Sequence, residues 1–334
     1  MSGIVSREIR LASRPQGIPS AENFTLQRTE LAPLRDQQAL VRNLFMSVDP
    51  YMRGRMNEGK SYVPAFELGK ALEGGAVGEV IESHTDEFNV GDAVVSNLGW
   101  REYFIAPPGA LHRVKRNGLP LSVHLGALGM TGMTAWVGLR LAEVKTGDVV
   151  YISGAAGAVG SIAGQLAKLR CCRVIGSAGS IEKVIFLRDE CGFDIAFNYR
   201  VGPVVEQLNL EAPEGIDVYF DNVGGKTLEA ALSALRVHGR IIACGSISSY
   251  NDKEPKPGPT NLFNMITKRL IMRGMIVSDW MNLRYEFESE VGGLLRSGKL
   301  RNIETVANGI GEAVSSFIGL FHGRNLGKMV VKLA

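Results

Sequence analysis

Cysteine is rare in this chain and absent before Cys171. The four that occur, Cys171, Cys172, Cys191 and Cys244, form no C-x-x-C pair. A catalytic zinc takes three protein ligands, commonly Cys and His, and a structural zinc takes four. The five histidines, His84, His112, His124, His238 and His322, stand singly and complete no such set, so no metal is expected. Four reduced, structural thiols fit a compartment where disulfides are rare. Long apolar runs are also missing. Nowhere do 18 uninterrupted apolar residues occur, and no membrane-spanning helix is expected. The opening MSGIVSREIRLASRP carries charges where a secretory signal would hold its apolar centre, so cytoplasmic residence is the expectation. A large charge of one sign is lacking too. The net charge of +3 is too small to point to nucleic acid or an anionic membrane as a main partner.

What is present is an ordinary globular composition, 45% apolar and 21% charged, in 334 residues. That length favours two domains, each able to bury a core. Up to about residue 120, short apolar runs such as QALVRNLFMSV, EGGAVGEVIES and DAVVSNLG are separated by Gly, Asp and Pro, the pattern of a β-rich, barrel-like domain. The middle alternates. Strands are expected at Val149–Ser153, Arg173–Ser177, Ile195–Tyr199, Asp217–Asn222, Arg240–Gly245 and Leu270–Val277, with helical patterns between them. Such alternation predicts a doubly wound parallel sheet. After an amphipathic helix near Tyr285–Arg296, the segment NLGKMVVKLA reads as a strand returning to the first domain.

The first strand–helix junction of the middle region reads VVYISGAAGAVGSIAGQLAKL, Val149–Leu169. A backbone this bare between a strand and a helix suits a dinucleotide pyrophosphate. Small residues admit the phosphate, and the first helical turn supplies unpaired N–H groups. In the G-x-G-x-x-G spacing the matching positions are Ala155, Gly157 and Gly160. The next strand ends in Ser177-Ala178-Gly179-Ser180, without the carboxylate that normally accepts from the ribose 2′-OH of NAD, and Lys183 follows. NADP(H) is therefore expected over NAD(H).

Six longer strings narrow the reading: SVDPYMRGRM, GMTGMTAWVGL, GAAGAVGSIAGQLAKL, FDNVGG, CGSISSYN and NLGKMVVK. Together they resemble the zinc-independent medium-chain dehydrogenases/reductases, in the branch of prostaglandin reductase (leukotriene dehydrogenase), curcumin reductase and alkenal double-bond reductases. The resemblance covers nearly the whole chain. It implies a GroES-like barrel domain over residues 1–121 and 303–334, a Rossmann domain over 122–302, and a homodimer seamed along the Leu270–Val277 edge. It implies reduction of the C=C bond of an apolar α,β-unsaturated ketone or aldehyde, with hydride passing from NADPH to the β-carbon.

Carried over by position, Ala155, Gly157, Ala158 and Val159 would lie along the pyrophosphate, and Lys183 and Tyr199 would reach the 2′-phosphate. Asn222 would sit by the adenine ribose. Cys244, Gly245, Ser246, Ile247 and Tyr250, with the strand Met275-Ile276-Val277, would line the nicotinamide half; Met130 and Thr134 would pack beside it, and Asn325 would be a further contact. Tyr250 is the first candidate to hold the oxygen on which negative charge collects, and Tyr51 the second. Met52, Met130, Met275 and Trp280 would form an adaptable apolar cleft. Asp49 and Arg53 are expected to form a structural ion pair. Two further readings stay open: a quinone reductase of the ζ-crystallin type, and a non-catalytic NADPH-binding protein.

Overall fold

The computed structural model describes residues 3–334. The chain divides into two compact units. The first is the chain up to Leu125 with Glu304–Arg324 and Met329–Ala334; the second is Gly126–Ile303 with Asn325–Lys328. The division after Leu125 falls four residues beyond the one expected after residue 121. The short stretch Asn325–Lys328 is held by the second unit, where the whole of 303–334 was expected in the first.

In the first unit, β1 (Val5–Leu11) and β2 (Phe24–Glu30) pair antiparallel as a two-stranded ribbon. A seven-stranded sheet forms around β3 (Ala39–Ser47). On one side β3 pairs β4 (Ala76–Ser83), which carries β5 (Ala93–Ser96). Ala39–Arg42 of β3 pairs β6 (Tyr103–Ala106), and β7 (His112–Arg113) extends the sheet from β5. Alternate residues of β3 can be apolar on both faces because both are covered. The core beside α1 (Met52–Arg55) is aromatic: Trp100 stacks on Phe24 at 6.4 Å and meets Phe317 edge-on at 6.0 Å.

The second unit opens with α2 (Met130–Leu141) and then alternates: β8 (Val149–Ile152), α3 (Ala158–Leu169), β9 (Arg173–Ala178), α4 (Ile181–Asp189), β10 (Ile195–Asn198), α5 (Val204–Glu211), β11 (Ile216–Asp221), α6 (Gly225–Ala234) and β12 (Leu235–Ala243). The short α7 (Asn264–Thr267) and β13 (Ile271–Gly274) complete the sheet, and α8 (Arg284–Arg296) follows. All neighbouring pairs are parallel, in the order β10-β9-β8-β11-β12-β13. In the unit's own numbering this is 3-2-1-4-5-6, the doubly wound order. Its central strand VVYI is buried throughout. Tyr151 of β8 and Tyr219 of β11 are register partners and stack at 5.1 Å. The chain then supplies β14 (Glu304–Asn308), α9 (Ala313–Phe321) and β15 (Lys328–Lys332). β15 joins Phe45–Ser47 of β3, and β14 flanks it.

Two strand expectations are corrected. The last strand of the parallel sheet ends at Gly274 rather than Val277, because its partner β12 ends at Ala243, the residue paired with Gly274. Met275 and Ile276 are a connector, and Val277 begins a 3-10 helix that runs to Leu283. The strand expected at Arg240–Gly245 starts at Leu235. It stops before Cys244 and Gly245, whose N–H groups turn to the Asp221 carbonyl at 2.9 and 3.0 Å.

Asn325–Lys328 crosses the second unit as a clasp. Gly327 donates to Ala156 O at 2.8 Å, and Lys328 donates to Ile303 O at 2.8 Å. Gly327 has φ +61°, and a Cβ there would lie 2.1 Å from the Ile303 carbonyl oxygen. Gly327→Ala is therefore expected to destabilise the protein by about 1–3 kcal/mol from backbone strain, with displacement of Ile303 adding to it. Thermal unfolding beside the wild type checks this, and an unchanged midpoint would refute it.

Candidate cofactor and active site

The strand order reverses between β8 and β11, and in such sheets the crevice at the carboxyl ends of these strands takes the ligand. After β8 the chain turns through Ser153–Gly157. Gly160 must be bare: a Cβ there would lie 2.6 Å from Gly154 O and 2.7 Å from Ala155 Cα, so α3 presses directly on the turn. Gly157 caps α3, whose first turn carries no acidic residue. Ala158 and Val159 are only half-buried there, and their position leaves their N–H groups free of helical partners. Ala155 lies beneath the turn instead. It is fully enclosed, and its N–H donates to Ser177 O at 3.1 Å. On the β11 side, Asn222 bridges the crevice floor: its N–H donates to Ser153 Oγ at 3.0 Å and its Nδ2 to Ser153 O at 2.8 Å. Asn325 folds over Gly327, donating to its carbonyl at 2.8 Å, next to the Gly157–Gly327 bridge.

Beyond β9 the residues expected at a 2′-phosphate come together, with one addition. A Cβ on Gly179 would lie 2.8 Å from Tyr199 Oη and 3.4 Å from Arg200 Nε, so both side chains lean over this glycine. Burial holds the Lys183 ammonium below its ordinary pKa, and the nearby Arg200 charge pushes the same way. Neither cation forms an ion pair among the described residues. A lysine disfavoured by burial and by a second cation, beside a strand end without a carboxylate, is suited to a dianion, which would relieve both penalties. Arg200 escaped the sequence reading. The signal was its place immediately after Tyr199, at the carboxyl end of β10. The Ser177 hydroxyl points away from this glycine and lies 2.8 Å from Tyr151 Oη, inside the core. Ser180 caps α4 by accepting from Lys183 N at 3.4 Å.

Across β11 and β12, Cys244, Gly245, Ser246 and Ile247 are half-buried, and Tyr250 folds back over them. Tyr250 Oη accepts the Ser246 N–H at 3.3 Å, which leaves its own proton available for donation. Burial raises the Tyr250 pKa above that of a free phenol, against the lowering effect of the Ser246 N–H. Burial, followed by the Asp221 charge, pushes the Cys244 thiol up to about 12. Met275 is buried against Gly138 of α2, while Ile276 and Val277 are half-buried. Met130 is exposed at the start of α2, and Thr134 is committed to its carbonyl at 2.7 Å. The four thiols are free: Cys172 and Cys191 are buried, Cys244 is half-buried and Cys171 is exposed.

Tyr51, in the first unit, precedes α1 and packs on the aromatic core. Burial, then the Asp49 charge, raises the pKa of its phenol. The expected Asp49–Arg53 ion pair is not formed. Arg53 is buried and donates instead to Gly17 O and Pro15 O at 3.0–3.1 Å and to Asn57 Oδ1 at 2.6 Å, while Asp49 accepts from the Ser47 hydroxyl. The expected methionine cleft also fails in part. Met52 is fully enclosed in the core of the first unit, with its methyl filling the space beside Gly74, and the Met275 sulfur lies against Gly138. Trp280 sits under Arg273, 5.6 Å from the ring centre. Among the described residues, no group of three or more His, Cys, Asp or Glu could hold a metal ion.

Comparison with known proteins adds a lineage to this geometry. Residues 7–114 match the family model of the N-terminal domain of oxidoreductase, and residues 158–292 match that of zinc-binding dehydrogenase. The chain is 38% identical over 330 residues to NADPH-dependent curcumin reductase of Escherichia coli, covering 97% of this chain and 96% of that protein. It is 40% identical over 344 residues to 2-alkenal reductase (NADP(+)-dependent) of Nicotiana tabacum, covering 99% and 98%. The crystal structure of CurA in complex with NADPH from Vibrio vulnificus superposes with a TM-score of 0.94 at 39% identity, covering 98% of this chain and 99% of that one.

Arg200→Ala is expected to weaken NADPH binding by about tenfold or more while leaving NADH binding within about twofold, the signature of a lost charge-assisted contact to the extra phosphate. Fluorescence titration of both coenzymes checks this; equal losses for the two would remove Arg200 from the pocket.

Proposed function

The chain belongs to the zinc-independent prostaglandin, curcumin and alkenal reductase branch of the medium-chain dehydrogenases/reductases, and on that premise we propose that it uses NADPH to reduce the C=C bond of small apolar α,β-unsaturated ketones and aldehydes. The observation that carries this reading is Tyr250, a largely buried phenol at the carboxyl end of the parallel sheet, oriented by one main-chain N–H and still holding its proton.

We assign the pyrophosphate to the first turn of α3, at Gly157, Ala158 and Val159, with Ala155 as the support beneath. Lys183, Tyr199 and Arg200 take the 2′-phosphate, which accounts for the absence of a carboxylate after β9. Asn222 borders the ribose. Cys244–Ile247, Met275–Val277, Met130 and Thr134 are assigned to the nicotinamide half, and Asn325 to the clasp over the turn. Bound there, NADPH would supply a hydride for the β-carbon. Tyr250 Oη is the donor placed to hydrogen-bond the substrate carbonyl oxygen, where negative charge would collect. Because burial raises its pKa, the phenol keeps its proton through the neutral range and above. The α-carbon takes its proton from Tyr250 Oη or from water. Tyr51, in the motif DPYMRGRM, is assigned to substrate binding.

We also assign the protein to the cytoplasm, where its four free thiols would stay reduced, and to a homodimer. Supporting the dimer is β13, which is the edge of the parallel sheet and exposes Ile271 and Met272, with Phe263 and Ile266 exposed nearby in sequence. A strand edge with apolar, solvent-facing side chains invites pairing.

Incubation of the enzyme with NADPH and a panel of enones and alkenals is expected to yield the saturated carbonyl compounds, identified by mass spectrometry, with quinones turned over more slowly. Tyr250→Phe is expected to lower kcat by about 10²–10³, the range for loss of one oxyanion donor. Faster turnover of quinones than of any enone would favour the quinone-reductase reading, and NADPH binding without turnover of any acceptor would favour the non-catalytic one. Light scattering is expected to give twice the chain mass, and Ile271→Lys with Met272→Lys to give the monomer; a monomeric wild type would remove the dimer.

A further inference from the structure

Asp221, the last residue of β11, is a buried acid that the mechanism above leaves without a role. One of its carboxylate oxygens, Oδ1, accepts from Tyr219 Oη at 2.6 Å, Gly224 N at 2.8 Å, Val223 N at 2.9 Å and Ser153 Oγ at 3.3 Å. Its main-chain carbonyl accepts from Cys244 and Gly245. The seam continues beyond it. Asn222 O accepts from Ile247 N at 3.3 Å, and Val223 O accepts from Ser248 N at 3.1 Å and Ser248 Oγ at 2.6 Å. Gly224 has φ +71°, and a Cβ there would lie 2.5 Å from Ser246 Oγ, so the two segments are in close contact. Ser246 N in turn orients Tyr250. No cation forms an ion pair with Asp221 among the described residues. Burial raises its pKa, and the hydrogen bonds from Tyr219, Gly224, Val223 and Ser153 oppose that rise. A charge held by hydrogen bonds alone, at the root of two strand-end segments, sets their relative geometry.

We propose that Asp221 is a positioning residue for the reduction, closing the 221–225 turn so that the 244–250 segment holds Tyr250 in one orientation. The catalytic half of this proposal rests on the enone-reductase reading; the structural half does not.

Asp221→Asn in the full chain keeps an acceptor at Oδ1 and removes the charge. Hydrogen–deuterium exchange is expected to quicken about tenfold in the peptide covering Cys244–Ser248, with α3 unchanged. With an enone, kcat is expected to fall about tenfold while the NADPH dissociation constant stays within about threefold, and the loss is expected to disappear in a Tyr250→Phe background. Unchanged exchange over Cys244–Ser248, or a kcat loss that multiplies with that of Tyr250→Phe, would overturn the proposal. A wild type that reduces no enone overturns the functional reading instead, and exchange alone then decides the role of Asp221. Should Asp221→Asn not fold, Tyr219→Phe removes its 2.6 Å donor while keeping the aromatic ring, and the same quickening is expected in the same peptide.

Discussion

The second unit depends on one pairing, that of β8 with β11. These two parallel strands are neighbours in space although two strands and three helices lie between them along the chain. Where they meet, the winding of the sheet changes direction, and the loops leaving their carboxyl ends part. A crevice there is the geometric result of the topology and needs no special residue to open it. What the residues do is line and brace it. Tyr151 and Tyr219 stack below, Ser153 and Asn222 tie the two strand ends together, and bare positions let α3 approach the turn.

Much of this was legible in the sequence because it is periodic. Apolar strands alternating with helical patterns give the parallel sheet directly, and the junction at Val149–Leu169 shows where its ligand side lies. Ends of elements were less legible. Val277 belongs to a 3-10 helix because β13 stops where β12 has no further residue to pair with, and a single strand's own residues do not record that limit. Side-chain direction was less legible still. Met52 and Arg53 are adjacent in a motif expected beside the substrate, yet one fills the aromatic core and the other satisfies the carbonyls of Pro15 and Gly17. Arg200 was overlooked for the converse reason. A cation in an exposed turn looks like ordinary surface until the fold brings Gly179 beneath it.

The polar groups at the carboxyl ends of β8, β9, β10 and β11 include two kinds. Lys183 is held below its ordinary pKa by burial and by the Arg200 charge, and an anion joining them would relieve both effects. Asp221, Ser153 and Tyr219 are mutually satisfied and bring nothing outward. The first kind is poised for a ligand; the second gives the loops around it a single shape. Tyr250 stands between the two, with its oxygen occupied by the main chain and its proton free.

The clasp at Asn325–Lys328 has a consequence for biogenesis. Gly327 joins the turn after β8 in the second unit, and the residues directly after it, in β15, complete the sheet around β3 in the first. Both units therefore await the same late-synthesised stretch. While the ribosome is still adding it, the nascent polypeptide carries one sheet lacking a strand and one turn lacking its cover, so neither half has its full set of contacts until translation has passed this point.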